Sequence, residues 1–244
     1  MRLDSRPHHQ LRNIKITPHV SEYAEGSALV EFGKTRVLCT VSYEPKAPSW
    51  LFGTGEGWIT AEYGMLPRST HQRMKRDKIQ NGGRTQEISR LIGRSLRAAI
   101  DLKALGERQL MVDCDVLNAD GGTRTAAVTG GFVALALAAQ KLLAVSEIKT
   151  NPLVNYVAAI SVGLKGSDAL LDLNYEEDSS IDTDMNFVMT NEGKFVEIQG
   201  TAEDQAFSKA DFDKMLELGQ KGCFELFKIQ EQIVGSFFPL QIKG

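Results

Sequence analysis

Apolar and polar residues alternate along the first part of the chain. Asn13–Thr17, Ser27–Phe32 and Thr35–Val41 each carry this two-residue period, which predicts strands. Gly33–Lys34 reads as a hairpin turn between the last two. Trp58–Leu66 is a further strand. Pro67–Gly83 then loses all periodicity and reads as a polar, basic, mobile loop. From Thr85 to Leu102 the period changes to three and four, with Ile88, Leu91, Ile92, Leu96 and Ile100 lining one side of a predicted helix. Leu110–Leu117 alternates again, with Val112, Cys114 and Val116 on one face and Asp113 and Asp115 on the other.

The next segment, ADGGTRTAAVTGGFVALALAAQKLLAV, is apolar nearly all round, which predicts a helix buried on most sides. Gln140 and Lys141 interrupt its apolar run, so it is expected to be too short to span a membrane. Ala158–Leu164, Ala169–Leu173, Met185–Thr190 and Lys194–Gln199 read as four more strands, with a turn at Asn191–Gly193. Ser208–Val234 is a long helix that Ser208 and Asp211 can cap. This order predicts an α+β fold, with mixed sheets covered by helices, rather than a regular βαβ repeat. No low-complexity linker divides the chain, so residues 1–244 are expected to form a single domain.

Composition narrows the class. Of 244 residues 42% are hydrophobic, which excludes a disordered chain. Three cysteines (Cys39, Cys114 and Cys223) lie far apart without C-x-x-C spacing, which excludes a zinc ribbon or a disulfide framework. The opening MRLDSRPHHQLR holds no apolar stretch, so no secretory signal is expected, and the cytoplasm is the expected location.

The net charge of −3 conceals an asymmetry. Pro67–Arg97 holds nine Lys/Arg against two acids, while Gly166–Gly193 holds eight acids and no Lys/Arg. The first segment suits a polyanion and the second a divalent cation, although either can be a solvated face. Arg90, Arg94 and Arg97 share one face of the predicted helix.

Local motifs carry the chemistry. FGKT at Phe32–Thr35 resembles the end of a P-loop, but Ala28 stands where that loop needs glycine, so a hairpin is expected. The histidines lack metal-binding spacing, and no G-x-S-x-G elbow is present. GGTRTA at Gly121–Ala126 joins two glycines, a hydroxyl and an arginine to the start of a helix. That is either an anion pocket or a glycine-bent helix start with a surface arginine. GGRTQE at Gly82–Glu87 places Arg84 similarly. NYEEDSSIDTDMN at Asn174–Asn186 gathers five acids, with Asp178 in a Ser-rich bend and Asp182 and Asp184 two apart. Such carboxylates repel unless a cation or a shared proton offsets them, and two of them can hold Mg²⁺. A phosphate pocket, a basic loop and an acidic metal site together suit phosphoryl transfer on a polyanion.

These segments are also recognisable as a set. R-L-D-S-R near the start, G-W-I-T-A-E-Y-G-M-L-P-R at Gly57–Arg68, and G-R-T-Q-E-I-S-R-L-I-G-R-S-L-R-A at Gly83–Ala98 come first. D-C-D-V-L-N-A-D-G-G-T-R-T-A-A at Asp113–Ala127, D-L-N-Y-E-E-D-S-S at Asp172–Ser180, D-M-N at Asp184–Asn186 and V-E-I-Q-G-T-A-E at Val196–Glu203 follow in order. The chain resembles the bacterial ribonuclease PH family, phosphate-dependent 3′-exoribonucleases that trim transfer RNA precursors. Ser5 stands where that family usually has the glycine of D-G-R.

The resemblance implies two βα lobes like ribosomal protein S5 domain 2, assembled as a homohexameric trimer of dimers. It places phosphate on Arg84, Gly122, Thr123 and Arg124, and the essential carboxylates on Asp178 and Asp184. Asp182, where relatives often carry glutamate, falls outside that set. Asp178 is the expected Mg²⁺ ligand, and Asp184 either a ligand or the general acid. Arg68, Arg73, Lys75 and Arg76 are expected to grip the RNA backbone. The implied reaction uses inorganic phosphate to release nucleoside diphosphates. A silent RNA-binding ring subunit would lose the arginines or the carboxylates, and a hydrolytic nuclease would not need the paired arginines.

Overall fold

A computed structural model describes residues 2, 4–76, 82–203 and 206–236. Among the described residues, nine strands form two sheets packed by five helices, an α+β arrangement. The first sheet has the order β1 (Ile14–Pro18), β2 (Gly26–Phe32), β3 (Thr35–Glu44), β5 (Gln109–Asn118), β4 (Trp58–Met65). Its neighbours are antiparallel, except that β4 and β5 run parallel. Parallel strands need a crossover, and helix α1 (Gly83–Arg97) supplies it. The FGKT segment is the β2–β3 hairpin turn, with Gly33 at φ +59°.

α1 buries Ile88, Leu91, Ile92 and Leu96, the expected stripe. It ends at Arg97, short of the expected Leu102, because Ile100 leaves the helix to bridge Leu153. A separate short helix, α2 (Leu102–Leu105), follows, capped by Asp101. α1 also caps the free edge of β4. The backbone N–H of Tyr63 donates to Ser89 Oγ at 3.0 Å, and Arg97 donates to the carbonyl of Ile59 at 2.9 Å. An edge strand covered in this way offers no template for further pairing.

α3 (Thr123–Ala144) is the central helix, packed against β2, β3, β6 and the last helix. It falls within the expected segment, but because it continues through Gln140 and Lys141 it is longer than the apolar run expected to be too short for a membrane. Length and apolar composition alone would let it cross a bilayer, but 83% of its most apolar window is buried inside the fold, which makes it a core helix. The second sheet is fully antiparallel in the order β7 (Asp168–Leu171), β6 (Val157–Lys165), β8 (Thr183–Thr190), β9 (Phe195–Ala202). Between β7 and β8 the acidic stretch forms a helical turn, α4 (Tyr175–Asp178), rather than the expected bend. The long C-terminal helix, α5 (Lys209–Val234), has the expected Ser208–Asp211 capping box. Gln230 ties the layers by donating to the carbonyls of Thr129 on α3 and Val157 on β6, at 3.0 and 2.9 Å.

The basic stretch is less free than its composition suggests. Ser69 is buried, and its carbonyl accepts from Ala119 N–H at 2.8 Å, which fastens the start of the segment to the end of β5. Residues 77–81 of the expected loop lie outside the described residues. The arginine face of α1 is partly occupied: Arg94 pairs with Glu197 of β9, and Arg97 lies over the Trp58 ring at 4.4 Å.

Candidate active site

The carboxyl ends of the parallel pair β4 and β5 lead into one cleft, where the starts of α1 and α3 meet α4 and β8. The loop from β5 into α3 is shaped by two glycines in the left-handed region, Gly121 at φ +75° and Gly122 at φ +65°. A Cβ on Gly121 would lie 2.5 Å from the carbonyl oxygen of Leu173 and 2.8 Å from the nitrogen of Tyr175. The loop therefore rests directly on the backbone that leads into α4, and only glycine permits that approach. Thr35 Oγ1 donates to the Gly121 carbonyl at 2.6 Å and accepts from Asp120 N–H at 2.9 Å.

The first helical bond of α3 runs from Ala126 N–H to the Gly122 carbonyl. The N–H groups before it have no partner within the helix and carry the positive end of its dipole. Thr123 and Arg124 stand at this end, a placement that both readings of GGTRTA share. Tyr63 of β4, only 4% exposed, donates from its hydroxyl to Thr123 Oγ1 at 2.8 Å. Burial raises the Tyr63 phenol above its ordinary pKa, so it stays a donor and leaves the Thr123 hydrogen free to point at a ligand.

The two arginines of the pocket are held differently. Arg124 donates to Gln199 Oε1 at 2.8 Å and pairs with Glu87 at 3.3 Å, and Gln199 also donates to Glu87 at 3.4 Å. Arg84 is exposed on the first turn of α1. Its charge reaches both Tyr63 and Asp178. Arg84 also lines a cavity of about 440 Å³ with Tyr63, Met65, Arg73, Met74 and Lys75. Two of the expected RNA-facing residues, Arg73 and Lys75, thus stand beside Arg84, itself expected to bind phosphate. Arg68 is exposed and donates to the His71 carbonyl at 2.8 Å, while Arg76 is exposed at the end of the described segment.

The carboxylates face this pocket. Asp178 closes α4 and Asp184 is the second residue of β8, opposite Gly163 and Thr201. Asp178 lies at the surface of the cleft, yet its carboxyl is crowded enough to be pushed up in pKa, first by burial and then by the charge of Asp184. Arg84, Arg124 and Arg12 pull the other way. Asp184, Arg84 and Arg124 are thereby all within electrostatic reach of Asp178. Asp182 is turned to other work, accepting from Gly166 N–H at 2.7 Å just before the strand begins. Among the described residues no group of three or more His, Cys, Asp or Glu is arranged around a metal, so a cation here would rest on two carboxylates. That donor set fits Mg²⁺, which keeps several waters and shares substrate phosphates.

Sequence reasoning missed how the acids are balanced. Arg2 is buried and holds both carboxylate oxygens of Glu177 at 2.6 Å. Arg12 grips the fully buried Asp172 through Nη2 at 2.7 Å and Nε at 3.1 Å. The same guanidinium donates to the carbonyl of Asp120 at 2.6 Å. Two acids of the run are therefore neutralised from the N-terminus, which leaves Asp178 and Asp184 facing the cleft. Gln199 and Glu87 were likewise missed, although both lie in motifs that mark the family.

The comparisons with known proteins follow the same lines. Residues 10–140 match the pattern of the 3′ exoribonuclease family, domain 1, and residues 155–222 match domain 2. Ribonuclease PH of Bdellovibrio bacteriovorus is 70% identical over 240 residues, covering 98% of this chain and 99% of that one. Among solved structures, rice (Oryza sativa) Rrp46 is similar at a TM-score of 0.78 and 20% identity, covering 96% of this chain and 100% of that one. An archaeal exosome core is similar at 0.75 and 25%, covering 95% and 90%. The Archaeoglobus fulgidus exosome with RNA bound to the active site is similar at 0.78 and 24%, covering 93% and 92%.

Proposed function

The chain belongs to the 3′ exoribonuclease family, and on that premise we propose how its site divides the work of phosphorolysis. The enzyme is a nucleotidyltransferase that removes 3′-terminal nucleotides from transfer RNA precursors and other RNA, in a reversible reaction. An oxygen of inorganic phosphate attacks the last internucleotide phosphorus. The bond from that phosphorus to the 3′-oxygen breaks, the 3′-oxygen takes a proton, and a nucleoside diphosphate leaves.

Arg124 and Arg84 neutralise the incoming phosphate, and the planar guanidinium of Arg124, braced by Gln199 and Glu87, presents a fixed fork. Thr123 and the first N–H groups of α3, after Gly122, complete the cradle. Binding in this geometry converts a bimolecular attack into a positioned one. Asp178 and Asp184 would hold Mg²⁺, which when bound supplies positive charge at the phosphoryl oxygens. Asp184 takes one of two roles, second ligand or proton donor to the leaving oxygen. Arg68, Arg73, Lys75 and Arg76 hold the RNA backbone outside the cradle. The working assembly is a cytoplasmic homohexamer, a trimer of dimers, a reading supported by the likeness to exosome rings and checked by sedimentation.

The observation that carries this reading is the meeting of an arginine–hydroxyl cradle with a carboxylate pair in one cleft. Its test is the mass of the released nucleotide. RNA with a free 3′-hydroxyl should give nucleoside diphosphates, and only when phosphate is present. Monophosphates released in phosphate-free buffer would mean that water is the nucleophile.

A further inference from the structure

One aromatic side chain at the mouth of the cleft has no role in the scheme above. Tyr175 is 52% exposed, whereas Tyr63, which bonds Thr123, is 4% exposed. Tyr175 opens α4 and Asp178 closes it, three residues on, so both project from one side of that turn. The Tyr175 backbone is fixed from several directions. Its N–H donates to Asp120 Oδ1 at 3.4 Å, and Gly121 rests against it. The turn itself is closed by the Asn174–Glu177 capping box and anchored by Arg2. An exposed ring on so fixed a backbone loses little entropy when something stacks on it.

The ring also has a companion. His71 lies with its ring centre 6.0 Å from that of Tyr175, tilted by 57°. Its carbonyl is held by Arg68, and Arg73, Lys75 and Arg76 follow in the same segment. An exposed aromatic pair beside a basic run, one helical turn from Asp178, has the composition of a single-strand binding surface: cations for phosphates and rings for bases.

We propose that Tyr175, backed by His71, is a stacking platform for a base of the RNA strand just upstream of the nucleotide being removed. This rests on the phosphorolytic reading and adds to it a contact with the base rather than with phosphate. Every base has a π-face, so such a contact tolerates any sequence, as a trimming enzyme requires.

The experiment compares wild type, Tyr175→Ala and Tyr175→Phe on single-stranded RNA carrying one abasic nucleotide at successive positions from the 3′ end. Ordinary RNA serves as reference, and sedimentation checks that the variants assemble alike. Tyr175→Ala should lower kcat/KM for ordinary RNA by roughly tenfold, the usual scale of one lost stack. The KM for phosphate should not move, and Tyr175→Phe, which keeps the ring, should recover most of the loss. At one abasic position wild type should fall to the level of Tyr175→Ala, and the variant should lose nothing more. Equal losses for both proteins at every abasic position would overturn the proposal, as would wild-type behaviour of Tyr175→Ala. A raised phosphate KM would also overturn it, because the ring would then be acting through Asp120 on the phosphate loop. Binding of 2-aminopurine-labelled RNA without phosphate reads stacking with no turnover. That arm stays decisive even if wild type released no diphosphate, the outcome that would sink the phosphorolytic reading instead.

Discussion

The phosphate loop and the acidic segment lie against each other in one cleft but are built by opposite means. Asp120–Arg124 takes its bend from its own residues, two glycines in the left-handed region and the start of the helix they introduce, and Thr35 and Arg12 only fasten it. The segment from Asp172 to Asp184 takes its shape from elsewhere. Asp172, itself at φ +56°, is held by Arg12, and Glu177 by Arg2, partners more than 150 residues away in the chain. A cradle for an anion can be local, because backbone N–H groups are available in any helix start. A cluster of like charges cannot stabilise itself, so it must recruit opposite charge from another part of the fold.

Arg12 binds both regions through direct hydrogen bonds, and its loss should have the largest effect. Arg12→Leu removes the bidentate partner of the buried Asp172, leaving it the more distant Arg6 at 3.8 Å and the residue-12 backbone N–H, and releases the Asp120 carbonyl. Stability should fall by about 3–5 kcal/mol, read by urea unfolding. A loss below about 1 kcal/mol would mean that the acidic segment does not depend on its distant partner.

Asp184→Asn sharpens the contrast from the other side, since it removes a charge that pairs with no N-terminal arginine among the described residues. Turnover should fall at least about 10²-fold while RNA affinity and unfolding stay nearly unchanged. Turnover like that of wild type would remove Asp184 from the chemistry.

A smaller effect is expected at the brace of the phosphate arginine. Gln199→Leu removes the 2.8 Å bond to Arg124. Phosphate KM should rise by about tenfold, the scale of one hydrogen bond to a charged group, with RNA affinity unmoved. An unchanged phosphate KM would show that the local loop alone aims Arg124.

The smallest concerns Ser5, which sits at φ +62° between Arg2 and Arg6. A side chain there carries a steric cost of roughly 1–2 kcal/mol that glycine escapes, part of it returned as entropy of the unfolded chain. Ser5→Gly should stabilise the protein by up to about 1 kcal/mol. A loss of stability would show that the serine itself supports the turn that positions Arg2.

Much of this architecture is written in short-range pattern. Alternation located the strands, and the 3.6-residue period located α1 and α5 to within a few residues. The continuous apolar run marked α3 as buried before any neighbour was known. α4 escaped because four residues hold no period, although Asn174 followed three places on by Glu177 is a capping signature visible in the sequence. Glu87 and Gln199 carried no such signal: their partnership exists only once β9 is registered on β8 and α1 lies across from it.

The chain's sequence alone determined the elements, the glycine-shaped loop and the residue types of the chemistry, because these depend on neighbours a few positions apart. Only the tertiary structure decided which of the eight acids remain for the cleft. It also decided which arginine is braced and which stays open, because charge is balanced by whatever the fold brings within a few ångströms, at any distance along the chain.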